Sequence, residues 1–196
     1  MARKIEFNRD EALKKSMILF WEKGYENTSM QDLVTTLEIN RFSIYNTYGD
    51  KKALFHQALE YYRTHIFEML NQPLINNEAS GKKRLDNYLE NFGKHISSTK
   101  GSLGCMIQAS TLGEISREKE IRNEIAKAFN SLQAILQNTL QQAKEHGELN
   151  INCNVEAAAI HIICTLQGLI VLRKSQKDSN VVSTQIDFLR TAVQNW

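Results

Sequence analysis

Proline occurs once in the 196 residues and glycine nine times, so few positions force a helix to break. Several of those glycines (Gly24, Gly49, Gly81, Gly101, Gly147) fall where a helical pattern ends or turns. Cysteine is scarce too. Cys105, Cys153 and Cys164 have neither metal-ligand nor redox-motif spacing, so no metal and no cofactor is expected. The segment Met1–Phe7 has no apolar core of the kind a secretory signal needs. Free thiols and a cytoplasmic location are the expectation. An excess of one charge is also missing: the formal net charge is +2, and residues 1–52 hold nine Lys/Arg against eight Asp/Glu. A field favouring nucleic acid must therefore come from local placement, at Arg3 and Lys4, Arg41, and Lys51 and Lys52. Long apolar runs are absent. The more apolar of two sixteen-residue uncharged stretches, between Glu156 and Arg173, contains His161, Cys164, Thr165 and Gln167. A membrane span needs about twenty mostly apolar residues, so this reads as a buried helix, with no membrane partner. No strand alternation, internal repeat or low-complexity tract is present. Neither a phosphate loop nor a nucleophile–base motif is found, so the chain is not expected to be an enzyme.

What is there is helical periodicity. Asn8 and Glu11 predict a capped first helix ending near Gly24, with Leu13, Met17, Phe20 and Trp21 on one face. Ser29 and Asp32 predict a second capping box, followed by Met30, Leu33, Val34 and Leu37 at helical spacing. After Glu38-Ile39-Asn40 a third helix follows, capped by Asn40, with Ile44 and Tyr48 inward and Arg41, Ser43, Asn46 and Thr47 pointing elsewhere. Two short helices joined by a tight polar break are the footprint of a helix-turn-helix. The outward side of the second suits base edges and phosphates in a major groove. Asp50 caps a fourth, linking helix over 51–71 that runs to about Leu70, with Pro73 as its stop. Residues 76–84 read as a loop. Further helices are predicted around Leu85–Ile96, Gly104–Gly113, Glu118–His146, Val155–Leu172, and a last one carrying Val182, Ile186, Leu189, Val193 and Trp196. The spacing of that last set is a heptad-like seam.

The stretch Ile39–Phe55 (INRFSIYNTYGDKKALF), together with Phe7–Tyr25 (FNRDEALKKSMILFWEKGY) and the Thr28-Ser29 pair, resembles the DNA-binding segment of the TetR/AcrR family of bacterial transcriptional regulators. The resemblance covers the first quarter to third of the chain and departs at Phe42, where many members carry a small residue. It implies an all-α protein: a three-helix helix-turn-helix headpiece over 1–52, joined by the linking helix to a C-terminal effector-binding and dimerisation domain over 53–196. It implies a homodimeric repressor of a palindromic double-stranded operator, released by a small molecule or by thiol modification. The recognition helices would lie about one duplex turn, 34–36 Å, apart.

Residue roles follow. Thr28 and Ser29 sit at a helix N-terminus that favours phosphate. Arg41 fits guanine O6 and N7, or a phosphate. Phe42 falls within the same DNA-facing set, and Ser43, Asn46 and Thr47 can reach base edges or thymine methyls. Tyr45 is expected to pack its ring inward with its hydroxyl on the DNA backbone, and Tyr48 to be core. Lys51 is expected to bind phosphate. Tyr88, Phe92, Ile96, Met106, Ile107, Phe129 and Leu132 are candidate effector-lining residues, each also readable as plain core. His95, Gln108, His161 and Gln167 read as hydrogen-bonded structural residues. Cys105, after Gly101-Ser102-Leu103-Gly104 at a predicted helix start, is a candidate reactive sensing thiol, and Cys164 reads as packing. The penultimate helix is apolar nearly all round, which demands cover on every side. With the family resemblance, this places Ile162, Leu166, Leu169, Val182, Ile186, Leu189 and Val193 at a two-fold interface. Two alternatives stay open: a helical protein–protein scaffold, and a thiol enzyme using Cys105 with His95.

Overall fold

The computed structural model describes residues 7–76, 78–99, 101–175 and 180–196; Arg3 and Lys4 lie outside them. Among the described residues every regular element is helical: α1 (Arg9–Lys23), α2 (Met30–Leu37), α3 (Arg41–Tyr48), α4 (Lys51–Tyr62), α5 (Glu68–Leu70), α6 (Gln72–Ile75), α7 (Gly81–Ser97), α8 (Met106–Ser110), α9 (Lys119–Glu145), α10 (Val155–Ser175) and α11 (Asn180–Gln194). A wide π-type turn, Arg63–Phe67, follows α4, and short 3-10 turns occupy Gly101–Leu103 and Glu114–Arg117. The chain packs as two compact units, Met1–Ile66 with Met106–Ala126, and Phe67–Cys105 with Lys127–Trp196.

Polar caps set the helix starts in the first unit. The Asn8 side chain accepts from Asp10 N and Glu11 N, Asn40 Oδ1 from Ser43 N, and Asp50 Oδ1 from Ala53 N. Each such cap stabilises its helix by roughly 1 kcal/mol. The core behind them is aromatic and aliphatic: Phe20 and Trp21 of α1, Leu33 and Leu37 of α2, Ile44 and Tyr48 of α3, and Leu54, Phe55, Leu59 and Tyr62 of α4. Phe20 meets Phe55 edge-on at 5.0 Å, and Trp21 meets Tyr62 at 4.9 Å. Such pairs add about 0.5–1.5 kcal/mol beyond the area they bury. Near the end of α4, Arg63 Nε donates to Glu124 Oε2 at 2.9 Å, and both side chains are nearly excluded from solvent. Removing one partner of a buried pair typically costs about 3–5 kcal/mol, because the other charge is left uncompensated.

In the second unit α7, α9, α10 and α11 pack around Leu85, Tyr88, Leu89, Leu132, Leu136, Ile162, Leu166, Val182, Ile186 and Leu189. The loop expected over 76–84 is shorter than its polarity suggests. α7 begins at Gly81 behind a Ser80 cap, and a Cβ at Gly81 would lie 2.7 Å from Thr139 O. Close packing on α9 therefore excludes a side chain there. Arg84 is buried, with Nη1 donating to Leu74 O and Nη2 to Gln142 Oε1. Pro73 does not end a helix. It sits in the first turn of α6, where its missing N–H costs nothing. α11 lies on α7 where Gly93 leaves room: Ile186 Cγ1 would be 3.2 Å from a Cβ at that position. Arg190 of α11 forks onto Asp86 of α7, with Nε 2.6 Å from Oδ1.

Candidate nucleic-acid interface

α2 and α3 are joined by Glu38-Ile39-Asn40. Glu38 holds a left-handed backbone, φ 57°, which costs a residue other than glycine about 1–2 kcal/mol. Ile39, 8 % exposed, anchors the turn to the core. The α2 start is a complete capping box: Asp32 N donates to Ser29 Oγ, and Ser29 N donates back to Asp32 Oδ2 at 2.8 Å. Lys23 Nζ adds a 2.7 Å contact to Asp32. The ammonium of Lys23 and the Ser29 donors together hold the Asp32 carboxyl well below the usual carboxylate range.

Three side chains fix the C-terminal end of α3 against the rest of its unit. Tyr48 Oη donates to Arg9 O at 2.6 Å, Arg9 Nη2 donates to Thr47 O at 3.2 Å, and Gln57 Nε2 donates to Tyr48 O at 3.0 Å. Burial raises the Tyr48 phenol above its ordinary pKa, so its proton stays available to donate. A short helix alone is marginal in water; these bonds and the Ile44–Tyr48 stripe hold this one in place. The positioning roles of Arg9 and Gln57 carried no signal in the sequence, since each is an ordinary polar residue on a helix.

The outward face of α3 consists of Arg41, Phe42, Tyr45 and Asn46, all exposed, while Ser43 and Thr47 are half-buried. Tyr45 departs from expectation. The residue is 40 % exposed rather than packed inward, and the Arg41 guanidinium lies over its ring, 5.6 Å from the centroid. Arg41 Nη2 also reaches Tyr45 Oη at 3.4 Å. Spaced one turn apart, the two side chains stiffen each other. Phe42 is 75 % exposed.

Two residues expected at phosphate are engaged within the chain. Thr28 is 1 % exposed, and its hydroxyl donates to Gly24 O at 2.7 Å, which spends it on closing α1. Lys51 Nζ donates to Tyr25 O at 2.7 Å and Thr28 O at 2.6 Å, and stands 4.1 Å over the Tyr25 ring. Burial lowers its pKa. It ties the α1–α2 loop to α4 instead of facing outward. Lys52 is exposed but paired with Glu118 at 2.9 Å. Ser29 remains exposed, with its N–H and hydroxyl both engaged by Asp32.

The expected effector residues divide between the units. Tyr88, Phe92, Ile96, Cys105 and Phe129 belong to the second, Met106 and Ile107 to the first. All are buried except Phe129, which is half-buried and meets Phe67 edge-on at 6.3 Å. Cys105 is 7 % exposed beside fully buried Tyr88, whose phenol is pushed far up by burial. The helix after it, Met106–Ser110, is a single short turn-and-a-half. His95 is half-buried, and burial lowers its pKa.

The expected interface residues are the clearest correction. Ile162, Leu166, Leu169, Val182, Ile186, Leu189 and Val193 are each 0–3 % exposed within the single chain. They form the seam between α10, α11 and their own unit and are not free to meet another copy. Behind that seam α10 has a second apolar stripe. Ala157, Ile160, His161, Cys164, Gly168, Val171 and Leu172 lie on one helical face and are exposed. Cys164 is therefore at the surface rather than packed. Ile160 is 43 %, Val171 54 % and Leu172 41 % exposed, and Phe188 of α11 is 70 % exposed. Val155–Ser175 is also long and apolar enough to cross a membrane, by length and composition only.

Comparison with known proteins matches both ends of the chain. Residues 12–58 fit the model described as bacterial regulatory proteins, tetR family, and residues 81–189 fit the tetracyclin repressor-like C-terminal domain. The HTH-type transcriptional repressor ComR of Escherichia coli is 30 % identical over 171 residues, spanning 84 % of this chain and 79 % of that protein. The HTH-type transcriptional regulator YezE of Bacillus subtilis is 27 % identical over 192 residues, spanning 95 % and 96 %. Among solved structures, a cysteine mutant of the TetR family regulator CifR complexed with 26-bp double-strand operator DNA superposes with a TM-score of 0.86 at 23 % identity, over 97 % of this chain and 99 % of that one. The reduced form of Escherichia coli NemR gives 0.81 at 17 %, over 93 % and 95 %. The headpiece geometry, the helical second unit and these matches lead to one conclusion: the chain belongs to the tetR family of bacterial transcriptional regulators.

Proposed function

We propose that the chain is a ligand-responsive repressor that binds a palindromic operator as a homodimer in the cytoplasm and acts by binding rather than by catalysis. The observation that carries this is the α3 face: four exposed side chains, Arg41, Phe42, Tyr45 and Asn46, on a helix whose other side is bonded into a rigid core. Such a face has both a cation for phosphate or guanine and an amide for adenine. Ser29, Ser43 and Thr47 flank it.

The second copy is assigned to the outer stripe of α10, with Ile160, Cys164, Val171 and Leu172, and to Phe188 of α11. An apolar stripe of this length facing water marks an interaction surface. Gly168 has open space at its Cβ position, which lets a facing helix approach closely. A symmetry mate supplies matching chemistry, since a two-fold interface is built from one patch used twice. Release follows from an effector that prefers a state with the wrong headpiece spacing, seated among residues such as Tyr88, Phe92, Ile96 and Phe129. Modification of Cys105 is the thiol route to the same end; with the residue 7 % exposed, it would require local opening.

Selection of duplexes from a random pool, followed by gel shift across a salt series and sedimentation, tests the reading. A dimer that selects an inverted repeat, with affinity falling steeply as salt rises, is the expected outcome. A strictly monomeric protein, or one that ignores every duplex at low ionic strength, overturns it.

A further inference from the structure

The proposed function puts α3 in a major groove without saying which bases it reads. Its exposed face divides into two strips. Arg41 and Tyr45 are engaged with each other, guanidinium over ring. Phe42 and Asn46, four residues apart, form the second strip and share a helix face. Phe42 is the anomaly. An aromatic ring 75 % exposed, in the middle of a polar recognition surface, has only unfavourable contact with water until something apolar covers it. The floor of a major groove offers one apolar group, the C5-methyl of thymine. An asparagine amide pairs in two bonds with adenine N6 and N7.

We propose that Phe42 and Asn46 read an A·T-containing step, with the Phe42 ring on a thymine methyl and the Asn46 amide on an adenine one or two base pairs away. The spacing is consistent: side chains at i and i+4 stand about 5–6 Å apart, and base pairs rise by about 3.4 Å. The inference rests on the DNA-binding reading and goes beyond it by naming the bases.

The test uses the full-length protein and its selected operator. Each thymine is replaced in turn by deoxyuridine, which deletes only the methyl. At one position per half-site the replacement weakens binding by about fourfold, the value of one apolar carbon removed from water. Phe42→Ala binds the operator more weakly and no longer distinguishes thymine from uridine there. Phe42→Leu keeps part of the distinction. Asn46→Ala relaxes the adenine preference nearby and leaves the uridine ratio intact. Because Phe42 and Asn46 are exposed, unchanged melting temperatures establish that the variants are folded. If uridine is tolerated at every position, or if Phe42→Ala loses affinity equally on both operators, the proposal is overturned while the DNA-binding reading stands. If no duplex is selected at all, both fall together.

Discussion

α3 and α10 each turn apolar side chains to water, but at very different densities. α3 shows one phenylalanine among an arginine, a tyrosine and an asparagine; α10 shows a mostly apolar stripe of Ile160, Cys164, Val171 and Leu172 around Gly168, with His161 among them. The difference indicates what each surface awaits. A partner with mostly polar edges and a few methyl groups suits the first. A partner as apolar as itself suits the second, and another copy of the same stripe is such a partner. Both helices keep a fully packed inner face, so each can lose its outer surface without unfolding. Each surface can thus be altered by mutation while the chain stays folded.

The sharpest way to break the comparison is to charge the α10 stripe. Ile160→Glu with Val171→Glu is expected to give a folded monomer by sedimentation. Operator affinity then falls by 100-fold or more, the loss expected when two linked headpieces become one. If the double variant remains a dimer, the stripe is not the interface. Next, Arg41→Ala removes one side of the α3 face and should cost about 1–3 kcal/mol of operator binding per half-site, read by gel shift, with the melting temperature unchanged. Lys51→Met tests the cation beside that face that belongs to neither surface. Its removal takes one donor from the Tyr25 carbonyl, which keeps its bond from Thr28 N, and the ammonium from the Thr28 carbonyl, so the expected loss is about 1–3 kcal/mol of stability by urea unfolding, and the slope of affinity against salt stays as in the parent. The smallest effect concerns the bond that holds α11, and with it Phe188, against α7. Arg190 depresses the Asp86 pKa. The group's stabilisation is therefore full above the ordinary carboxylate range and is lost as the pH falls below about 4 toward the folded value. Asp86→Asn should lower stability by about 1 kcal/mol at pH 7 and flatten the acid limb of a urea-midpoint series, because the pair is partly solvated.

Much of the headpiece was legible in the sequence because its signals are local. Asn8, Ser29 with Asp32, Asn40 and Asp50 all cap the helices their positions announce. Tyr48 is core as expected. The carbonyl bonds of Thr28 and Lys51 were not legible for a physical reason: a polar residue at a helix start has the same local signature whether it faces solvent or a carbonyl folded over from elsewhere. Only the packing of Tyr25 and Gly24 decides, and that is tertiary. Arg84 was lost in a polar loop for the same reason. The wide turn Arg63–Phe67 left no trace in the spacing of Phe55, Leu59, Tyr62 and Ile66. The last two helices show the other limit. The heptad spacing of Val182, Ile186, Leu189 and Val193 correctly marks a buried seam, but a period does not say which chain does the burying. The aliphatic, regular side of α10 went to its own unit. The mixed side, with alanine, histidine, cysteine and glycine, was left outside.

Lys51 gives this chain an unusual kind of sensitivity. Its ammonium is a bolt through the α1–α2 loop, so the chemistry that neutralises lysine side chains would act here on mechanics and not on attraction. Acylation of that nitrogen removes the ammonium that the Tyr25 and Thr28 carbonyls share, and one positive charge with it. A regulator modified there would loosen in its frame, and that part of its defect would be erased by stabilising osmolytes rather than by lowering the salt.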